Sequence, residues 1–336
     1  MKNMIVSQPE ENLTSHEVSA EENKTKLYLG VDVSKDSIDA CLLPSNQTWH
    51  VATDDASLES WARELPYGIS LVVMEATGGL EIPVAAALGT RQFPVAVVNP
   101  LRASKFAKAL NYRGKTDKID AHVLALFAER MQPDAHPLPT EKQLEFNEIL
   151  SRRRQLVEMI TAEKNRLKQA RCEKIRAHIR AHIAWLKGQK ADCEAELGAL
   201  VDANPVWSEQ EKLFKSVPGV GPVTARTLLA EMPELGTLSG KAAAALAGLA
   251  PFPRESGKWF GKRFCSGGRA VVRTALHMAT LSAIRCNAVI KEFYQRLVQH
   301  GKPHKVAMTA CMRKLLGIIN SMSKKNERWQ LVQKTT

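Results

Sequence analysis

"KLYLGVDVSKDSIDACLLP", residues Lys26–Pro44, decides the fold of the first part of the chain. Two runs rich in β-branched and apolar residues, Leu27–Val33 and Ser37–Leu43, flank a Ser-Lys-Asp turn, the pattern of a hairpin. Asp32 stands inside the first run, between Val31 and Val33. A carboxylate in an apolar strand is costly unless it is paired or bound to a cation. The hairpin therefore carries both a fold and a question about what Asp32 does.

Moving outward, a third strand is expected at Trp49–Ala52 and a helix near Ala56–Glu64. "SLVVMEATGG" (70–79) reads as a buried strand ending in a Gly-Gly loop, with a helix beyond it through Ala87. "FPVAVVNP" (93–100) is another strand, closed by Pro100, and helices follow over Leu101–Leu110 and Thr116–Met131. A meander followed by alternating strand and helix predicts an α/β mixed sheet. Glu75 ends its strand as Asp32 nearly ends its own. If the two strands are parallel neighbours, both carboxylates emerge at the same carboxyl edge, where open α/β sheets bind ligands.

"RGKTDKIDAHVLA" (113–125) adds Asp117 and Asp120, three residues apart on one helix face. Arg113, Lys115 and Lys118 surround them. Asp near a helix start is favoured by the macrodipole, so a solvated first turn is the plain reading. The alternative is half of a metal site. Four gathered carboxylates, Asp32, Glu75, Asp117 and Asp120, would be untenable without cations. That many oxygen donors suit Mg²⁺ or Mn²⁺, and paired ions of this kind activate a phosphodiester. Asp36 and Asp39 are set aside as ordinary residues of the turn and second strand.

The 336 residues include 47 Lys and Arg against 35 Asp and Glu, a net charge of +12, which favours a polyanionic partner. No apolar run reaches the roughly 20 residues of a membrane span, and the N-terminus lacks signal-peptide layout. The 6 cysteines form no CxxC pair, which points to reduced thiols in a cytoplasm. Residues 1–26 are polar and acidic and read as a disordered tail. Pro133, Pro137 and Pro139 mark a linker after a first domain of residues 27–135.

A proline-free stretch from Glu141 to Val201 has apolar residues at helical spacing. It predicts one long helix or an antiparallel pair, a coiled-coil region over 141–205. Arg152, Arg153 and Arg154 place a basic cluster on it, suited to phosphates. The final domain, 206–325, is expected to be short helices interrupted by a basic Gly-rich loop. "VPGVGPVTARTLL" (217–229) has the form of a helix-hairpin-helix element, in which Gly219 and Gly221 let backbone amides approach a phosphate. A plain tight turn has the same composition. "FPRESGKWFGKRFCSGGRAVVR" (252–273) offers Ser256 and Ser266 in a field of Arg254, Lys258, Lys262, Arg263, Arg269 and Arg273. Either serine fits a nucleophile whose developing phosphoryl charge the cations would stabilise. A loop that merely grips phosphate fits as well.

Taken together, "GVDVSKDSID", "VMEATGG", "VVNPLRASKFAKAL", "KTDKIDAHVLA", "VPGVGPVTARTLLAEM" and "LAGLAPFPRESGK", followed by Gly-Gly-Arg, resemble the DEDD transposases of the Piv/MooV insertion-sequence group, within the insertion-sequence-110 family. The resemblance runs from about Leu27 to Ile319. It implies an RNase H/RuvC-like N-terminal domain with Asp32, Glu75, Asp117 and Asp120 as a Mg²⁺ or Mn²⁺ quartet. It also implies a C-terminal transposase domain whose serine is Ser256. The activity implied is site-specific recombination of double-stranded donor and target DNA, guided by a structured bridge RNA, through a phosphoserine link. A dimer or tetramer in the bacterial cytoplasm is the expected form. The rival readings are a water-using RuvC-like junction nuclease and a non-catalytic RNA- or DNA-binding scaffold.

Overall fold

The computed structural model describes residues 26–112, 117–135, 140–253, 255–256, 259–261 and 263–330. The acidic tail assigned to residues 1–26 thus lies almost entirely outside the described residues. The chain forms two compact units, Met1–Leu138 and Pro139–Thr336.

The first unit contains β1 (Leu27–Val33), β2 (Ser37–Leu43), β3 (Gln47–Ala52), α1 (Asp55–Glu64), β4 (Ile69–Glu75), α2 (Glu81–Thr90), β5 (Val95–Val98), α3 (Pro100–Ala109) and α4 (Asp117–Met131). The five strands make one sheet in the order β3-β2-β1-β4-β5. β1 pairs antiparallel with β2 and parallel with β4. Strand alternation sorts the side chains into two layers. Leu29, Val31, Val33 and Ile38 pack with Leu58 and Trp61 of α1 and with Val84 and Leu88 of α2. Tyr28, Leu71, Val73 and Val98 point the other way and meet Leu124, Ala125, Phe127 and Ala128 of α4. This mixed sheet is consistent with an RNase H-like N-terminal domain.

One residue sets how close α4 comes. A Cβ on Gly30 would overlap Ala121 O and Ala125 N, backbone atoms of α4. Only glycine lets the helix lie directly on the central strand. At the other end of the helix, Gln132 Nε2 donates to Tyr28 Oη at 3.2 Å. The helix therefore runs opposite to β1, and its first turn reaches the level of Asp32.

The second unit contains α5 (Glu141–Gln169), α6 (Glu173–Asp202), α7 (Pro205–Lys215), α8 (Pro222–Glu231), α9 (Gly240–Leu246), β6 (Pro251–Phe252), β7 (Glu255–Ser256), β8 (Trp259–Phe260), β9 (Phe264–Cys265), α10 (Ala270–Cys286), α11 (Ala288–Gln299) and α12 (His304–Lys325). Thr140 and Gln143 start α5 as a reciprocal capping box. Contacts from Arg153 to Glu194, Glu163 to His182 and Leu167 to Arg176 show that α5 and α6 run antiparallel. The two long helices also share apolar contacts with α7 and α8, since Phe146, Leu150, Leu197 and Val201 pack with Trp207 and Leu229.

The expectation of only short helices in the last third is corrected. α12 has 22 residues and α10 has 17. α12 buries Cys311, Met312, Leu315, Leu316, Ile319 and Met322 on one stripe in the core. Arg313 and Lys314 break the apolar run in sequence, yet Arg313 is exposed and Lys314 reaches over the Phe293 ring of α11, so the helix stays intact. Among the described residues no helix is long and apolar enough to cross a membrane.

Candidate active site of the first unit and the serine arm of the second

Asp32 lies on the α4 side of β1, two residues beyond Gly30. Glu75 lies on the same side of β4, in line with Leu71 and Val73. β1 and β4 are parallel neighbours with Val31 opposite Met74, so the two carboxylates share one carboxyl edge. α4 supplies Asp120 to the same level, and Asp117 opens its first turn. The side chains of Asp117 and Lys118 lie outside the described residues, as does Lys115 altogether. Asp32, Glu75 and Asp120 are all half-buried. Among the described residues no three His, Cys, Asp or Glu side chains are gathered tightly enough to hold a metal ion.

Just past Glu75, the Gly-Gly loop is fastened by Glu81. Its Oε2 accepts from Thr77 N, Thr77 Oγ1 and Gly79 N at 2.8–3.0 Å. Burial pushes the Glu81 carboxyl up, but backbone donors, including its own amide and those of Gly79 and Thr77, bring it below the usual carboxylate range. Its anion therefore holds the end of β4 in place beside Glu75.

Asp39, set aside in the sequence as an ordinary residue of the second strand, lies beside Asp32. It is the cross-strand partner of Asp32, and His50 is the partner of Asp39 in turn. Directly opposed residues of an antiparallel pair point to one face, so Asp32, Asp39 and His50 form a row across β1, β2 and β3. Asp39 is buried, and His50 Nδ1 hydrogen-bonds its Oδ1 at 3.1 Å. The signal was the two-residue offset either side of the turn, which fixes the register as soon as the hairpin is accepted.

In the second unit Ser256 stands on β7 opposite Trp259 of β8. Outside this pair, Phe252 of β6 faces Phe264 of β9. The result is a two-tiered arm with Ser256 in the outer tier. Arg254, Lys258 and Lys262 lie outside the described residues, and Arg263 is exposed. The root of the arm is held tightly. Arg273 Nη1 donates to Gly267 O at 2.7 Å. Arg269 makes a bidentate pair with Glu234 at 2.7 and 2.8 Å. A Cβ on Gly268 would run into the backbone of Gly248. Arg269 and Arg273 are thus committed to the protein itself.

The same holds on α5. Arg153 pairs with Glu194 at 2.6 Å and Arg154 with Glu231 at 2.8 Å. Burial would raise the Glu194 carboxyl, but Lys190 and Arg153 hold it below the usual carboxylate range. Arg152 is exposed and contacts Gln155. Gly219 adopts a φ of +100° and lies against Ala283 of α10, so tight packing explains that glycine. Gly221 caps α8 at the surface with open space around it.

These arginines separate in a simple test. Arg153→Glu is expected to set two carboxylates against each other and destabilise the second unit by about 2 kcal/mol after allowance for screening. That corresponds to a fall of roughly 4–8 °C in Tm. Arg152→Glu should leave Tm nearly unchanged and weaken binding to any DNA sequence about equally. Thermal melts and a salt titration of DNA binding would show it, and equal Tm losses in the two variants would contradict the ion-pair assignment.

A transposase family model of the DEDD IS110 type matches residues 29–170, and a transposase model of the IS116/IS110/IS902 family matches residues 211–295. Residues 29–170 and 211–295 are thus similar to the transposase domains of the IS110 family. Among individual proteins, it is similar to the pilin gene-inverting proteins of Moraxella bovis and Moraxella lacunata. Each is 27% identical over 314 residues, covering 90% of this chain and 97% of the relative.

Proposed function

We propose that this protein is an RNA-guided, site-specific DNA recombinase of a bacterial insertion sequence, working through a phosphoserine intermediate. The observation that carries the reading is the common edge of β1 and β4, where Asp32 and Glu75 emerge beside the start of α4. Asp32, Glu75, Asp117 and Asp120 would hold Mg²⁺ or Mn²⁺, since all four offer the hard oxygen donors these ions prefer. Such ions, when bound, neutralise phosphodiester charge and polarise phosphorus toward attack.

Ser256 Oγ attacks the phosphorus, and one sugar oxygen leaves as a free hydroxyl after taking up a proton. The phosphodiester energy is kept in the serine link, so a hydroxyl of a new partner strand rejoins without ATP. Exposed cations of the arm such as Arg263 orient the phosphate. The net charge of +12 supports extensive backbone contact, and a guide–target duplex is held by shape and backbone alone. The RNA guide rests on this charge and on the family resemblance. A dimer or tetramer brings the several strand ends of an exchange together.

The test uses the full chain, its co-purifying RNA and labelled DNA carrying the ends of its element. The expected result is labelled DNA that migrates with denatured protein and disappears in excess chelator. Cleavage with no adduct would replace the serine mechanism with water-driven hydrolysis. Asp32→Asn, Glu75→Gln and Asp120→Asn should each lower joining by roughly 10²-fold or more while the first unit still melts cooperatively. Undiminished joining in chelator, or in any of these variants, would remove the metal assignment.

A further inference from the structure

The inner tier of the serine arm carries a feature that strand joining does not use. Phe252 and Phe264 are register partners on β6 and β9, so both rings stand on one face of the ribbon. They are 48% and 53% exposed. Single exposed apolar residues are ordinary. Two aromatic rings matched across a ribbon form a surface whose burial against a partner is favourable.

The charge of this stretch of sequence selects its partner. Arg263 is exposed immediately beside Phe264, and the intervening sequence adds Arg254, Lys258 and Lys262 against the single acid Glu255. A second copy of the chain would set like charge against like. Aromatic rings interleaved with cations suit a nucleic-acid strand, because every base has a π-face and every linkage a negative charge. Duplex bases are already stacked on one another, so the rings need bases that are unpaired. The stiff root, from Gly248 against Gly268 and from Arg273, anchors the ribbon that carries the rings, and Ser256 lies in the chain between the two rings.

We infer that Phe252 and Phe264 form a stacking platform for unpaired DNA bases flanking the phosphodiester presented to Ser256. This rests on the function proposed above, and the test reads binding without any cleavage. The full chain and its Phe252→Ala, Phe264→Ala and doubly substituted forms are titrated with a single-stranded oligonucleotide, with the matching duplex, and with the same strand as RNA. Each substitution should weaken single-stranded DNA binding about 10-fold. The dependence on salt should stay unchanged, since no phosphate contact is lost, and duplex binding should hardly move. Wild-type protein should also change the fluorescence of 2-aminopurine placed in the single strand, which keeps the question open to measurement if a variant fails to fold. Equal losses on duplex and single strand would overturn the platform, as would unchanged binding, an unperturbed probe or a loss confined to RNA. Failure to find a serine adduct, with these binding results intact, would count against the joining mechanism alone.

Discussion

Ser256→Ala is expected to abolish covalent capture of DNA and to lower joining by about 10⁴-fold or more, the scale on which removal of a nucleophile acts. Nucleic-acid binding should persist, because one hydroxyl is lost from a strongly cationic arm. The informative companion is Ser266→Ala. Ser266 is exposed just beyond the inner tier, between β9 and the Gly267–Gly268 root. It shares the basic surroundings but not the outer tier, so its loss should leave the adduct easy to detect. Ser256→Cys should keep a trace of activity, since a thiolate is a good nucleophile that suits a hard phosphorus centre poorly. Labelled DNA migrating with denatured protein, followed by peptide mapping, decides the matter. An adduct mapped to Ser266 would reverse the assignment, and full cleavage by Ser256→Ala would favour attack by water.

Gly30→Ala should be the most damaging single-methyl change in the first unit. The added carbon meets backbone atoms of α4, and no rotamer change can relieve it. Overpacking of this kind costs about 3 kcal/mol or more, equivalent to a fall in Tm of roughly 10 °C. If the unit still folds, α4 must move outward and carry Asp120 away from Asp32 and Glu75. Joining should then fall further than stability alone explains. Gly188→Ala is the control. Gly188 lies exposed within α6 with no neighbour near its missing Cβ, so alanine there should stabilise by about 0.5–1 kcal/mol through helix propensity. Similar melting shifts in the two variants would show that α4 does not depend on Gly30.

Much of the first unit is legible in the sequence because its strands alternate or run apolar and its turns are marked by Gly, Pro and Asn. The hairpin bounds Leu27–Val33 and Ser37–Leu43 can be read directly, and the parallel pairing of β1 with β4 is the condition for a shared acidic edge. Contacts between distant segments are harder to read. Nothing local in "YLGVD" announces that Gly30 must admit the backbone of residues 121–125. Arg153, Arg154 and Arg269 look like phosphate contacts in sequence because their partners Glu194, Glu231 and Glu234 are 35–77 residues away. Asp39 is set aside because a turn-proximal acid is common, although the hairpin register puts it opposite Asp32. The roles of Asp117 and Ser256 rest on motif and position, since both side chains lie outside the described residues.

The order of synthesis gives the Gly30 contact a further meaning. β1 is the central strand and emerges from the ribosome first, whereas α4, which covers its second face, emerges last in the unit. A chain interrupted before residue 117 has the sheet with Asp32 and Glu75 but neither Asp117 nor Asp120. It also leaves Tyr28, Leu71 and Val73 bare, an apolar face that chaperones and proteases recognise. Under the function proposed above, such truncated products lack half of the acidic quartet, and their bare face marks them for removal. On that reading, the acidic edge is completed only when the last helix of its own unit has been made, and Ser256 follows later still.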